Sequence, residues 1–366
     1  MSTFNDFNLI PSLQKTLKEK GFTTPTDIQR LTLGETLSGK SVVGLAETGS
    51  GKTLAYVLPV LNLLKTLETE GNPITDEGCP RAVVVVPTRE LGEQVAKVFK
   101  EFTHETRLRV RSVLGGTTMK LAKRNASGIF EVLVATPSRI HQLLEHGLRL
   151  KDVRLLVFDE ADQMLDPGFI QTATRLVDSC PPHPQMALFS ATISKVVEGL
   201  IGNLFSSAQV FKTAGSHRVA STLKTQNAKI INGERFPVLC KVLKKDTQGG
   251  ILIFTNTKAQ CDKLAALLEE NQFDCAIFRG GMDRQERKQN LKRFCDKQVD
   301  ILISTDLASR GLDFKDVACV INYHLPQDMD NYLHRVGRTA RAGRSGLVMN
   351  FVTERDQDLM DRLARL

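Results

Sequence analysis

The sequence predicts an α/β fold in two tandem domains, each a mainly parallel sheet flanked by helices, and three observations carry that prediction. The chain has 366 residues, more than a single compact core of ~100–200 residues normally takes. Short β-branched runs alternate with segments of helical spacing, the pattern of strands joined by crossover helices that cover both faces of a sheet. The same pattern recurs after a stretch without periodicity.

In the first half the strand signals are Ser41–Ala46, Arg81–Thr88, Arg109–Gly116, Glu131–Pro137, Arg154–Ala161 and Gln185–Thr192. Glu90–Phe102 and Pro137–Leu144 are helical segments between them. The second half offers Gly250–Thr255, Asp274–Arg279, Val299–Thr305, Ala318–Tyr323 and Gly346–Val352 as strands, with helices at Lys258–Asn271 and Arg284–Cys295. Lys212–Ser221 mixes Gly, Ser, Lys and Arg without a period. A linker at 212–219 therefore joins domains 1–211 and 220–366. Ligands of such sheets bind beyond the carboxyl ends of the strands, so chemistry is expected there.

Composition narrows the function classes. Hydrophobic residues make up 41% and charged residues 25%, which excludes disordered and collagen-like chains. The net charge of +8 falls mostly in the second half, so phosphate contacts are expected there, a solvated basic surface being the alternative. Seven cysteines without close pairs suggest neither a zinc site nor a disulfide framework and fit a reducing cytoplasm. No secretory signal is read at the N-terminus. The most apolar run, Leu54 to Leu64, is broken by Pro59 and Asn62 and is too short for a span, so no membrane role is expected.

Three segments carry chemistry. Ala46-Glu47-Thr48-Gly49-Ser50-Gly51-Lys52-Thr53 follows the first strand and opens a helix. Gly49 and Gly51 let backbone N–H groups turn towards phosphate oxygens, Lys52 can reach the β/γ-phosphates, and Thr53 can ligate Mg²⁺. Ala46 stands where such loops begin with Gly. The apolar strand from Arg154 ends in Asp159-Glu160-Ala161-Asp162. Asp159 can hold Mg²⁺ through water, and Glu160 can polarise an attacking water; a capped or solvated strand end is the alternative. His334-Arg335-Val336-Gly337-Arg338-Thr339-Ala340-Arg341-Ala342-Gly343-Arg344 has four arginines and no carboxylate among them. On a helix, Arg338 and Arg341 would project from one side towards a single phosphate, unless they form only a basic face.

With these segments in view, nearly the whole chain resembles the DEAD-box RNA helicases of superfamily 2. The box itself is literal at Asp159–Asp162. Gly21-Phe22-Thr23-Thr24-Pro25-Thr26-Asp27-Ile28-Gln29, preceded by an isolated Phe4, is similar to the family's adenine-reading Q motif. The remaining family elements follow in order. They are Pro87-Thr88-Arg89-Glu90-Leu91, Gly115-Gly116, Thr136-Pro137-Ser138-Arg139, Ser190-Ala191-Thr192, Ile253-Phe254-Thr255-Asn256-Thr257, Ser304-Thr305-Asp306 through Arg310-Gly311-Leu312-Asp313, and the arginine segment.

The resemblance implies two RecA-like domains with ATP and RNA bound across their cleft. Nucleotide contacts are expected from Phe4, Phe22, Gln29, Thr48, Gly49, Ser50, Gly51, Lys52, Thr53, Gly311 and Asp313. Gln29 offers the donor and acceptor that the adenine edge requires, and Phe22 can stack on the base. Asp313 resembles the ribose-binding carboxylate, with a helix cap as the local alternative. Lys52, Asp159, Glu160, Arg338 and Arg341 are the implied catalytic set, with Thr53 and Asp159 on Mg²⁺. RNA contacts are implied for Pro87, Thr88, Arg89, Gly115, Gly116, Thr136, Arg139, Thr255, Arg279 and Thr305, directed mainly at the backbone and with weak sequence preference. Asp162, Ser190, Thr192 and His334 are expected to couple the two sites, although Ser190 and Thr192 could equally be local strand-end caps.

Two departures stand out. Arg284-Gln285-Glu286-Arg287 has Arg where many members have Gln, which adds a possible phosphate contact, and Ser138 replaces the glycine of Thr-Pro-Gly-Arg. The chain ends soon after the arginine segment, so specificity is expected from a protein cofactor or ribonucleoprotein partner, or from tails outside this chain. The expected function is RNA-stimulated ATP hydrolysis coupled to local RNA unwinding or ribonucleoprotein remodelling, by a monomer in the cytoplasm, or in the nucleus or nucleolus of a eukaryote. The rival is an ATP-gated RNA clamp that serves as an assembly platform, and a DNA helicase is a weaker alternative.

Overall fold

The computed structural model describes residues 3–47, 49–164, 169–193, 195–213, 223–244, 249–306, 317–339 and 346–364. They form two compact units, Met1–Ser216 and His217–Leu366. Thr48, Arg310, Gly311, Leu312, Asp313, Arg341 and positions 214–219 of the expected linker lie outside the described residues.

The first unit begins with helices α1 (Pro11–Glu19) and α2 (Asp27–Leu37), then strand β1 (Val42–Leu45) and helix α3 (Lys52–Thr69). It continues as β2 (Ala82–Val85), α4 (Arg89–Thr106), β3 (Val110–Val113), α5 (Met119–Asn125), β4 (Val132–Ala135), α6 (Pro137–Leu144) and β5 (Leu155–Phe158). It closes with α7 (Phe169–Asp178), β6 (Gln185–Ser190), α8 (Lys195–Leu204) and β7 (Gln209–Lys212). All seven strands are parallel, in the order β3-β4-β2-β5-β6-β1-β7.

Alternate residues of each central strand enter opposite cores, as a two-residue period requires. Val42, Val84, Val134 and Val157 pack on one face, while Val43, Val83, Leu133 and Leu156 pack on the other. Being buried on both faces makes these strands continuous apolar runs, and polar residues enter only where they end. The expected strands come out two to four residues shorter because their polar ends become caps. Thr88, counted with a strand from sequence, instead accepts from Leu91 N at 3.3 Å and starts α4.

The second unit runs β8 (Leu223–Lys229), α9 (Arg235–Leu243), β9 (Gly250–Thr255), α10 (Lys258–Glu270), β10 (Cys275–Phe278) and α11 (Arg284–Cys295). After β11 (Ile301–Thr305) and β12 (Val317–Asn322) come α12 (Met329–Val336), β13 (Gly346–Val352) and α13 (Gln357–Leu363). Its parallel sheet has the order β10-β11-β9-β12-β13-β8. A line of amides crosses three of these strands at matched register: Asn322 Nδ2 donates to Asn350 Oδ1 and Asn350 Nδ2 to Asn227 Oδ1, each at 2.9 Å. The Tyr332 hydroxyl also accepts from Asn350 Nδ2 at 3.1 Å.

Two strands, β7 and β8, have no counterpart in the sequence reading. β7 pairs Lys212 with Leu45, and Thr213 N donates to Leu45 O at 3.0 Å. Lys212 and Thr213 therefore belong to the first sheet and not to a linker. Among the described residues no helix is long and apolar enough to cross a membrane.

Asn350→Leu leaves Asn227, Asn322 and Tyr332 without a shared buried partner, at a cost of ~1–3 kcal/mol. Hydrogen exchange should show the loss of protection across β8, β12 and β13 while β1 to β6 keep theirs.

Candidate functional site

The order of the first sheet sets the ends of β5, β6 and β1 side by side, and from them come the acidic box, Ser190–Thr192 and the phosphate loop. Gly49 (φ 84°) and Gly51 (φ 90°) lie in the left-handed region. Gly51 caps α3 there, and a Cβ at that position would stand 2.5 Å from Gln29 Nε2. Gln29 is 3% exposed; its Nε2 donates to Gly51 O at 2.9 Å and its Oε1 accepts from Thr26 N at 3.0 Å. The expected base-reading amide is thus locked to both the α2 cap and the phosphate loop. Ser50 Oγ donates to Glu47 O at 2.7 Å and tightens the loop. Phe22 is exposed, whereas Phe4, expected at the nucleotide, is buried in the core with Leu13 and Leu17. Its aromatic ring is spent on packing.

Lys52, at the first position of α3, is 5% exposed. Its Nζ donates to Ala46 O at 2.9 Å and stands 3.4 Å from Glu160 Oε1. Asp159 directly follows β5, with Oδ2 accepting from the Tyr56 hydroxyl at 2.7 Å and Oδ1 from Glu160 N at 2.9 Å. Burial, with the adjacent Glu160 carboxylate, pushes the Asp159 carboxyl up to about 7. Thr53 also interacts with the Tyr56 phenol that donates to Asp159. Burial and Asp159 hold that phenol well above its usual pKa.

Glu160 has φ 52° and ψ 49°, a left-handed conformation costly for a residue with a side chain. It swings the carboxylate back over Lys52 and starts the short turn Ala161–Gln163. Asp162 Oδ2 then accepts from Thr192 N at 2.8 Å, Thr192 Oγ1 at 3.1 Å and Ala191 N at 3.2 Å. Ser190 Oγ donates to Thr192 O at 2.8 Å and accepts from Asp162 N at 3.3 Å. The three expected coupling residues of this unit form one buried network.

The neighbouring ends of β2, β4 and β3 gather a second group on the same sheet edge. Pro87 leads into Thr88 at the N-terminus of α4. Arg89 Nη1 donates to Gly115 O at 3.0 Å, and Thr136 Oγ1 accepts from Gly115 N at 3.1 Å. Gly116 has φ 74° beside Arg89, and Arg139 Nη2 donates to Thr117 O at 2.6 Å. Ser138, the departure from the family pattern, lies exposed in the first turn of α6.

In the second unit Thr255 and Thr305 are paired across β9 and β11. Thr255 is fully buried with Oγ1 donating to Thr257 O at 3.3 Å, so its hydroxyl shapes its own loop. Arg279 Nε pairs with Asp262 Oδ1 at 2.6 Å. Arg284 begins α11, its side chain lying outside the described residues. The arginine segment is not one helix: α12 ends at Val336, before Gly337, Arg338 and Thr339. Thr339 Oγ1 donates to Val317 O at 2.7 Å, and Arg338, 1% exposed, donates from Nε to His334 O at 3.1 Å. Gly337, a poor helix former, ends the helix, and the Thr339 bond to Val317 O ties the segment beyond it to β12. Arg338 therefore lies beyond the helix.

The DEAD/DEAH box helicase family matches residues 26–200, and the helicase conserved C-terminal domain matches residues 234–343. The DEAD-box ATP-dependent RNA helicase RhpA of Helicobacter pylori is 35% identical over 96% of this chain and 70% of its own length. The chain belongs to the DEAD-box helicases. A Dictyostelium discoideum relative named "Probable ATP-dependent RNA helicase ddx27" is 34% identical over 98% of this chain, which spans only 46% of that protein. Among solved structures, S. cerevisiae Dbp5 bound to RNA and ADP BeF3 has a TM-score of 0.87 at 26% identity, covering 100% of this chain and 93% of that one.

Three residues of this DEAD-box chain escaped the sequence reading. Tyr56 lies one helical turn beyond Lys52, and Gln163 one short turn beyond Glu160, so spacing alone could have raised both. Arg335 had no such signal. Its guanidinium, 1% exposed, donates to both Asp306 oxygens, Asn322 Oδ1, His324 O and Asn256 Oδ1. The carboxylate absent from the arginine segment is supplied by Asp306, after β11.

The nucleotide-free protein should show a pH dependence that follows from Asp159. Its folded pKa of about 7 exceeds the unfolded value of ~4, so between them the fold holds a proton that the unfolded chain has released. That contribution to stability is fully present below the unfolded pKa and is lost as pH rises through about 7. Melting temperatures from pH 4 to 8 should fall more in the wild type than in Asp159→Asn. Because the Tyr56 hydrogen bond lowers the Asp159 pKa, Tyr56→Phe should move the decline to higher pH. Parallel curves for wild type and Asp159→Asn would contradict the assignment.

Proposed function

We propose that the chain is the catalytic core of an ATP-dependent RNA helicase, in which RNA-stimulated ATP hydrolysis drives local duplex unwinding or ribonucleoprotein remodelling. The observation that carries the reading is the single sheet edge on which Lys52, Asp159 and Glu160 adjoin Thr88, Arg89, Gly116 and Thr136. The buried chain Asp162–Thr192–Ser190 lies at the ends of β5 and β6, where it can relay a change at the phosphates.

ATP draws Lys52 from Ala46 O and Glu160 onto phosphate oxygens, with Gly49, Gly51 and the start of α3 supplying N–H donors. Gln29 retains one N–H and further acceptor capacity after its two internal bonds, and so can read an adenine edge. Phe22 offers an exposed ring to the base. Glu160, released from Lys52, orients the attacking water. Arg338 and Arg341 are the groups we assign to the charge that develops on the γ-phosphoryl oxygens.

The residues fit Mg²⁺. Thr53 and Asp159 are hard oxygen donors, and two buried carboxylates beside Lys52 leave negative charge that favours a divalent cation. Among the described residues no group of three or more His, Cys, Asp or Glu forms a metal cage, and Mg²⁺ in phosphoryl-transfer sites relies on one or two carboxylates plus the substrate phosphates. When bound it neutralises phosphate charge, with Thr53 and Asp159 holding it. RNA binds through its backbone, and the protein acts as a monomer. Seven free cysteines support a reducing cytoplasm.

Glu160→Gln should keep ATP and RNA binding while slowing hydrolysis by at least about a hundredfold. RNA dissociation with ATP should slow in parallel, measured by fluorescence anisotropy. A short RNA duplex should be displaced by the wild type with ATP, and turnover should need RNA. Displacement absent with ATP, despite RNA-stimulated hydrolysis, would leave a clamp in place of a helicase. Wild-type hydrolysis by Glu160→Gln would sink the water-orienting assignment.

A further inference from the structure

Glu160 is held at both carboxylate oxygens before any nucleotide arrives. Lys52 Nζ stands 3.4 Å from Oε1, and Gln163 Nε2 donates to Oε2 at 2.6 Å. Only the first of these is given up in the proposed reaction, because Lys52 transfers to phosphate. Gln163 stays. It is 6% exposed, sits at the end of the turn Ala161–Gln163, and its own N–H donates to Glu160 O at 2.9 Å, so side chain and backbone clamp the same residue.

The direction of the amide is fixed by chemistry. Turned over, it would set Oε1 against the carboxylate oxygen, two acceptors with no proton between them. Gln163 Oε1 is enclosed and has no hydrogen-bond partner among the described residues. No competing contact through Oε1 therefore sets the amide. A glutamate side chain with three rotatable bonds, freed of Lys52, would sample several rotamers, and a 1 Å misplacement of a reacting group can cost about a hundredfold.

We propose that Gln163 is a positioning residue that keeps the Glu160 carboxylate aimed after Lys52 has moved to the phosphates. The proposal rests on the reading of Glu160 as the group that orients water. Gln163→Met keeps the length and volume of the side chain and removes the donor. In the wild-type chain otherwise unchanged, RNA-stimulated kcat should fall about tenfold, while KM for ATP and the affinity for ADP stay within about twofold. Gln163→Lys returns a donor and should bring kcat back to within about threefold of wild type. In single-turnover hydrolysis, Gln163→Met added to Glu160→Gln should cost nothing further, since both act through one carboxylate.

Several results overturn the proposal: kcat for Gln163→Met within twofold of wild type, losses that multiply in the double variant, or a fall in kcat matched by equal losses in ADP affinity and melting temperature. The last would make Gln163 a packing residue. If Glu160→Gln itself hydrolyses ATP normally, the water-orienting reading fails first. If Glu160→Gln is impaired while Gln163→Met is not, that reading stands and only the positioning role falls.

Discussion

A parallel strand covered on both faces can carry a polar side chain only where a partner satisfies it, as Asn350 is satisfied in β13, and in the first sheet this constraint sends the polar residues to the strand ends. Val42–Leu45, Ala82–Val85, Val132–Ala135 and Leu155–Phe158 are buried at every position. Chemistry is confined to the residues that follow them. Because β6 lies between β1 and β5, the phosphate loop and the acidic box come from strands far apart in sequence yet converge on Lys52. The meeting is electrostatically unbalanced. Asp159 and Glu160 are nearly excluded from water beside Lys52, and that burial, with the Glu160 charge second, raises the Asp159 pKa.

The sequence revealed those parts whose signal is local. Helices Pro137–Leu144 and Arg284–Cys295 and strands Gly250–Thr255 and Gly346–Val352 have the boundaries that their periodicity predicts. The phosphate loop and the box were legible because their residue types and spacing carry the mechanism. β7 and β8 were not: β8 reads Leu-Lys-Thr-Gln-Asn-Ala-Lys, an edge strand mostly open to water, with no apolar alternation to betray it. Tyr56, Gln163 and Arg335 depend on partners that only the tertiary fold supplies. The helical spacing read for Arg338 failed because the helix ends at Val336, before Gly337, a poor helix former.

Arg335 shows how far a charged residue can be internalised when each of its protons is matched. Five N–H groups meet five acceptors drawn from the ends of β9, β11 and β12, and the guanidinium also lies 5.0 Å from the Phe254 ring centroid. Such a residue behaves as a keystone for three strand ends. The basic segment, read from sequence as phosphate-directed arginines with a basic helix face as the alternative, is partly interior at Arg335 and Arg338.

The amide line from Asn322 through Asn350 to Asn227 also gives the second sheet a mechanical character. β8 is its edge, a strand of seven residues paired in parallel with β13. A pull applied at Leu223 along the strand loads all of those backbone bonds together, as a shear, instead of opening them one after another as a zipper. The Asn227 amide adds a part-buried side-chain bond to that load, and the line ends on Arg335. The strand of this sheet least protected by hydrophobic burial is thus the one that polar bonds equip to bear tension.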